Sequence, residues 1–140
     1  MSVKMDGPAL EGFLQEAFPQ VAEDFRIEEV AAEQMRVRLV ITEKHLRPGG
    51  TVSGPSMFAL ADVALYLMVL ARLGPVALAV TTNCNIDFMR KPAAGKDLIG
   101  EARLLKLGRS LAVGDVLIRS EGSKAVVARA SLTYSIPPSS

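Results

Sequence analysis

Met57–Ala71, with the sequence MFALADVALYLMVLA, is the most apolar stretch of this 140-residue chain and decides its fold. Apolar side chains cover every face of a helix built from it, and a helix of that kind is buried rather than laid on a surface. Gly54 as N-cap and Pro55 at the first helical position mark its start, and a Gly-Pro pair follows its end. The sequence therefore predicts a long buried helix over Pro55–Leu73 that other elements must wrap.

The segments on both sides of this helix supply the wrapping. Before it lie a short amphipathic helix over Pro8–Phe18, which Pro19 is expected to stop, and two strands between Phe25 and Ile41. After it, four runs read as strands: Val76–Met89, Asp97–Leu107, Ser110–Arg119 and Ala125–Ile136. Strands in succession after one long helix predict an antiparallel α+β sheet rather than βαβ units. We expect residues 1–140 to form one domain.

Composition limits the classes of function. Lys and Arg number 16 against 15 Asp and Glu, aromatic residues make up 5%, and Trp is absent, which counts against nucleic-acid binding. One Cys and one His leave no internal disulfide and no Cys/His zinc cluster, so the expected compartment is the reducing cytoplasm. Met57–Ala71 is shorter than the ~20 residues of a membrane span and carries Asp62, so no membrane partner is expected.

Asp62 is the residue most informative about chemistry. No Lys or Arg lies three or four positions away on the helix, so an ion pair within the helix is excluded. One interpretation ties the carboxylate to backbone donors at a helix–sheet junction; the other makes it a nucleophile or general base that lines a cleft. The Gly-rich loop before the helix favours the second, because Gly54 N–H could polarise a carbonyl oxygen there, although ordinary capping explains the loop equally well.

Four segments resemble a known family. The family carries the motif Asn-x-x-Gly-x-x-His-Gly-Gly, followed by an Asp nine residues after the His. Residues 47–55 (RPGGTVSGP) fall on this motif, Asp62 falls on the acidic position, and residues 59–64 (ALADVA) match the segment around it. Residues 79–93 are similar to the third strand and its exit, and residues 107–112 (LGRSLA) to the hairpin that contacts coenzyme A. From about His45 to Ile136 the chain resembles the hotdog-fold acyl-CoA thioesterases of the phenylacetate-pathway type.

The resemblance implies a hotdog fold, a long central helix wrapped by a curved antiparallel sheet, and hydrolysis of an acyl-CoA thioester to acid and coenzyme A. It implies that Asp62 is general base or nucleophile, that Gly54 N–H stabilises the oxyanion and that Thr81 holds the attacking water. Edge strands left uncovered predict a homodimer or a dimer of dimers. The resemblance adds that Asp62 of one chain faces Thr81 of the other.

The remaining candidate positions are assigned to substrate binding, with coenzyme A as part of the substrate and neither a separate cofactor nor a metal. They are Arg47, Ser53, Asn83, Arg90, Lys91, Gly108, Arg109 and Ser110. Arg90, Lys91 and Arg109 lie at strand ends, where they are expected to cluster at the coenzyme A phosphates. Arg47 is expected to face the acyl group instead and to select a carboxylate or polar acyl oxygen.

Three positions depart from the motif of the resembled family. Arg47 stands in place of Asn, Ser53 in place of His, and Pro55 in place of the second Gly. A hotdog dehydratase would need a catalytic His on this loop, so Ser53 counts against that alternative. A non-catalytic protein that binds or senses acyl-CoA stays open, because Arg47 and Ser53 could mark a degraded site.

Overall fold

The computed structural model describes residues 3–75 and 78–138, and helix α3 (Gly54–Leu73) lies at its centre. Twelve of the 20 side chains of this helix are buried, and each large one contributes about 1.5–3 kcal/mol of hydrophobic stabilisation. The predicted buried helix is confirmed. Its N-cap is Ser53 rather than Gly54, because the Ser53 hydroxyl oxygen accepts the N–H of Ser56 at 3.3 Å. Gly54 is therefore the first helical residue.

The other elements follow the predicted order. They are α1 (Gly7–Ala17), α2 (Pro19–Ala22), β1 (Phe25–Val30), β2 (Gln34–Leu39), β3 (Val80–Phe88), β4 (Leu98–Leu107), β5 (Leu111–Ser120) and β6 (Val126–Ser135). The short helix α2 was not predicted: Pro19 does follow the end of α1, but proline also suits a first helical turn and begins the next helix. Strand β3 starts later than predicted, and residues 76–77 of that prediction lie outside the described residues.

All six strands form one antiparallel sheet in the order β1-β2-β4-β5-β6-β3, which confirms the predicted α+β architecture. Helix α3 packs directly on the central strands because two glycines let it approach. A Cβ at Gly114 would lie 2.5 Å from Leu65 Cδ1, and one at Gly100 would lie 3.1 Å from Leu60 Cγ. The sheet thus wraps the helix at van der Waals contact.

Strand β3 is an edge strand that pairs only with β6 among the described strands. A register shift between Thr81 and Asn83 interrupts this pairing near the start of the strand. The apolar residues Val80 and Phe88, at its two ends, are more than half exposed. An unpaired edge of this kind is a template on which a further strand can pair.

By length and composition alone, helix α3 could cross a membrane. The expectation that the apolar stretch is too short to span was therefore wrong, since the helix extends beyond it at both ends. However, 61% of its most apolar window is buried inside the protein, as it is in the core helices of globular domains.

Candidate active site

The carboxylate of Asp62 lies on helix α3 where the helix meets strands β3 and β6. Its Oδ1 accepts two hydrogen bonds, from Thr81 Oγ1 at 2.6 Å and from the phenol of Tyr134 at 2.5 Å. The phenol oxygen also lies 2.8 Å from the carbonyl oxygen of Asp62. The donors are thus side-chain hydroxyls rather than the backbone groups that one interpretation of the sequence supposed.

Thr81 reaches Asp62 within a single chain, whereas the resemblance implied that these residues face each other across a dimer. The cause is the strand register: Thr81 pairs with Tyr134 between β3 and β6, and cross-strand partners point to the same face of a sheet. Both side chains therefore point at helix α3.

Asp62 opens onto a cavity of about 650 Å³ between helix α3, the start of β3 and the junction of α1 and α2. Its walls are mostly apolar, and the polar side chains that line it besides Asp62 are Gln20, Tyr66, Thr81 and Tyr134. The apolar members are Ala17, Phe18, Val63, Leu78, Ala79 and Val80. None of the described lining residues is Lys or Arg. A carboxylate in such a cavity is stabilised by hydroxyl dipoles rather than by a cation.

Two groups near Asp62 have pKa values raised by their own burial and by the Asp62 charge. Burial raises the pKa of Tyr134 far above its ordinary value, and the neighbouring Asp62 carboxylate raises it further, so the phenol keeps its proton. Burial also raises the pKa of the Cys84 thiol, with a second contribution from Asp62. Since the thiolate is the reactive form, Cys84 is a poor nucleophile here.

Gly54 lines a second cavity, of about 630 Å³, at the N-terminus of helix α3. The first N–H groups of a helix have no acceptor within it, and no described residue accepts a hydrogen bond from Gly54 N–H. The ring of Phe88 lies against this glycine, 3.3 Å from where a Cβ would stand. The cavity therefore offers one backbone donor at the positive end of the helix dipole.

The loop that leads to Gly54 is held by its own hydrogen bonds. Arg47 N–H donates to the Thr51 carbonyl at 2.8 Å, and Ser53 N–H donates to the His45 carbonyl at 2.8 Å. His45 is 7% exposed and its Nδ1 accepts the N–H of Thr42 at 2.9 Å. The histidine thus completes a capping box with Thr42 and anchors the loop.

The cations are distributed differently from the expectation. Arg47 lines the Gly54 cavity together with Arg90 and Lys91, so it is not set apart from them at an acyl end. Within one chain, Arg109 lies at the opposite end of the sheet from Arg90 and Lys91, in the β4–β5 hairpin. The strand registers explain this, because Arg90 and Lys91 follow the end of β3 whereas the hairpin lies level with its start.

Four other candidate positions lie outside both cavities. Asn83 points away from helix α3, on the same face as Asn85, whose Nδ2 donates to Asn83 Oδ1 at 2.9 Å. Gly108 and Ser110 form the β4–β5 turn, where Gly108 N–H donates to the Leu111 carbonyl. The fourth, Ser53, caps helix α3 instead of lining either cavity.

Asp62 and Gly54 do not share a cavity within one chain. The two residues are eight positions apart on the helix, which corresponds to a rise of about 12 Å. One cavity holds a carboxylate among apolar walls and the other holds a backbone donor among cations. Within the described residues, no three His, Cys, Asp or Glu side chains come together in a way that would hold a metal ion.

Tyr134 is the member of this site that sequence reasoning missed. A signal was present, because Leu132 and Tyr134 alternate on the inward face of a strand and a buried tyrosine hydroxyl usually has a partner. Nothing in the sequence pattern shows that the partner is Asp62, since 72 positions separate the two residues.

Comparison with known families identifies the class of protein to which this helix-in-sheet architecture belongs. The family model of the Thioesterase superfamily matches residues 49–127, more than half of the chain, and the chain belongs to that family. The long helix wrapped by a curved antiparallel sheet is the hotdog fold, as the resemblance predicted.

Three relatives illustrate the match. A Silicibacter sp. TM1040 crystal structure described as a thioesterase is 60% identical, with a TM-score of 0.93 and coverage of 99% of this chain and 96% of that one. A mutant of the phenylacetic acid degradation protein PaaI from Thermus thermophilus is 29% identical, with a TM-score of 0.73 over 85% of this chain and 99% of that one. A Pseudomonas aeruginosa protein named as an esterase is 35% identical over 108 residues, 76% of this chain and 78% of that protein. These relatives support thioester hydrolysis as the class of reaction.

Proposed function

We propose that the protein hydrolyses acyl-CoA thioesters to a carboxylic acid and free coenzyme A, at sites shared by two copies of the chain. The observation that carries this proposal is the state of Asp62. Both donors bind its Oδ1, and no described residue donates to Oδ2. One carboxylate oxygen is thus left to act on a reactant in the cavity.

A second copy of the chain would bring the missing half of the site. If the free edges of β3 pair antiparallel about a two-fold axis, the start of one strand lies beside the end of the other. The Asp62 cavity includes Val80 at the start of β3, and the Gly54 cavity includes Phe88 at its end. Such a dimer therefore places the carboxylate of one chain near the backbone donor of its partner.

The chemistry of this shared site follows from the two halves. Asp62 Oδ2 accepts a proton from water as the water oxygen attacks the thioester carbonyl carbon. The Gly54 N–H of the other chain donates to the carbonyl oxygen as it becomes an oxyanion. Collapse of the intermediate breaks the C–S bond, and the departing thiolate takes the proton that Asp62 accepted, which gives coenzyme A and regenerates the carboxylate. Direct attack by Asp62, through a mixed anhydride that water then cleaves, uses the same groups.

The cations of the Gly54 cavity fit the phosphates of coenzyme A. Arg47, Arg90 and Lys91 stand beside the positive end of helix α3, where anions are favoured. Arg47 thus belongs with the phosphates and not with the acyl group, for which the apolar cavity beside Asp62 is the better match. A mouse protein named acyl-coenzyme A thioesterase 13, 25% identical over 114 residues, supports the substrate class. We place the activity in the cytoplasm.

The test is turnover of a panel of acyl-CoAs with short, long, aromatic and dicarboxylic acyl groups, measured as release of the free thiol. We expect hydrolysis by the parent and a loss of about 10²–10⁴-fold in Asp62→Asn, the usual effect of removing a general base. Asparagine keeps an oxygen for both hydroxyl donors, so the variant should melt close to the parent. Calorimetric binding of acyl-CoA without turnover by the parent would instead identify a binding protein.

A further inference from the structure

We infer that Tyr134 is a positioning residue of this site, whose phenol fixes the Asp62 carboxylate so that Oδ2 is the oxygen presented to the reactants. The inference deepens the proposed function and rests on it for its kinetic consequence. It stands on the contact between the phenol and the carboxylate, on the burial of the tyrosine and on the nature of the cavity walls.

The phenol has one proton and two oxygens within reach, Oδ1 at 2.5 Å and the carbonyl oxygen of Asp62 at 2.8 Å. That carbonyl lies in the middle of helix α3, where the N–H four residues further on is its regular partner. The carboxylate is the stronger acceptor, and the shorter distance is that of a charge-assisted O–H···O⁻ bond. The proton therefore belongs on the bond to Oδ1.

Tyr134 is itself held firmly. It is 2% exposed, its ring stacks on that of Tyr66 with centroids 6.1 Å apart, and its strand β6 is paired on both sides. Thr81 donates to the same Oδ1 from the neighbouring strand. Two fixed donors on one oxygen set the rotation of the carboxylate before any substrate arrives, which is what preorganisation requires.

The titratable groups that face Asp62 are few. They are Tyr134 on β6, Tyr66 on α3 and Cys84 on β3, and the described lining residues include no cation. The two hydroxyls thus take the place that an arginine or lysine fills beside many buried carboxylates. Removal of one of them should act on Asp62 more than on the surrounding fold.

The experiment compares Tyr134→Phe, which keeps the ring and deletes the hydroxyl, with Ser131→Ala, a hydroxyl deletion on the exposed face of the same strand. We expect Tyr134→Phe to lower kcat by about 10- to 100-fold, the rate equivalent of one hydrogen bond to a charged group. KM for the acyl-CoA should stay within about twofold, because a positioning residue acts on the chemical step. Ser131→Ala should match the parent in both constants.

An infrared measurement reads the contact without substrate. The carboxylate bands of Asp62 are isolated as the difference between the parent and Asp62→Asn, and the same difference is taken in the Tyr134→Phe background. Loss of a donor from one oxygen makes the carboxylate more symmetric, so we expect the splitting of its two bands to narrow. This result supports the inference even if no acyl-CoA is turned over, in which case only the proposed function fails.

Unchanged bands would overturn the inference, and so would an unchanged kcat in an active enzyme. A variant that loses thermal stability and raises KM while kcat stays at the parent value would also overturn it, because that pattern belongs to a residue that only supports the fold.

Discussion

Replacement of Gly54 by proline removes one hydrogen-bond donor and leaves helix α3 its other N-terminal contacts. Of the first four helical residues, Pro55 has no N–H, and Ser53 accepts the N–H groups of Ser56 and Met57. Only Gly54 N–H is left without an acceptor among the described residues. Proline at the first helical position suits a helix because the N–H that it lacks is unused there.

If Gly54 N–H stabilises the oxyanion, Gly54→Pro should lower kcat by about 10²–10³-fold, which corresponds to about 2.7–4 kcal/mol. Gly54→Ala is the matched control, since it adds a Cβ and keeps the N–H. That Cβ would lie 3.3 Å from Phe88 Cζ, and the half-exposed Phe88 ring can move by the few tenths of an ångström required. We therefore expect Gly54→Ala to retain most of the parent activity.

The assay is release of free coenzyme A under saturating acyl-CoA, with melting temperature and circular dichroism recorded for both variants. The reasoning is refuted if Gly54→Pro folds like the parent and keeps its kcat, because the donor is then not used. Equal losses in Gly54→Ala and Gly54→Pro would show that crowding against Phe88, and not the missing N–H, limits the rate.

Three further predictions use the same site. Mixtures of Asp62→Asn and Gly54→Pro, refolded together in equal amounts, should regain about a quarter of the parent activity, because half of the random dimers carry one intact shared site; no recovery would place both groups in one chain. Burial and the Asp62 charge raise the pKa of the Cys84 thiol, so at a pH below that pKa the thiol should react faster with a disulfide reagent in Asp62→Asn than in the parent. Equal rates would show that the carboxylate charge does not affect the thiol. Because the pKa of Tyr134 is raised in the folded protein, the stability that it contributes should persist below about pH 10, the ordinary tyrosine pKa, and fall as the pH rises above it. The melting temperature of Tyr134→Phe should therefore fall less steeply than that of the parent over this range, and parallel curves would contradict the prediction.

The architecture could be predicted because its signals are local. The all-round apolar pattern of Gly54–Leu73 requires burial, and the alternation in the later segments requires a sheet with one covered face. Asp62 stood out for the same reason, as a carboxylate inside an apolar run. The partners of Asp62 could not be predicted, because they depend on strand register. Thr81 and Tyr134 meet the helix only because β3 pairs with β6 as it does.

The departures from the resembled motif are explained by the first turn of helix α3. Ser53, in place of His, accepts the Ser56 N–H through its hydroxyl, and Pro55, in place of Gly, contributes no N–H at all. Both changes reduce the number of free donors at the helix N-terminus without affecting Gly54 N–H. Arg47, in place of Asn, places a cation in the same cavity. The three substitutions therefore leave a single backbone donor in a more positive environment, an arrangement suited to stabilising an oxyanion.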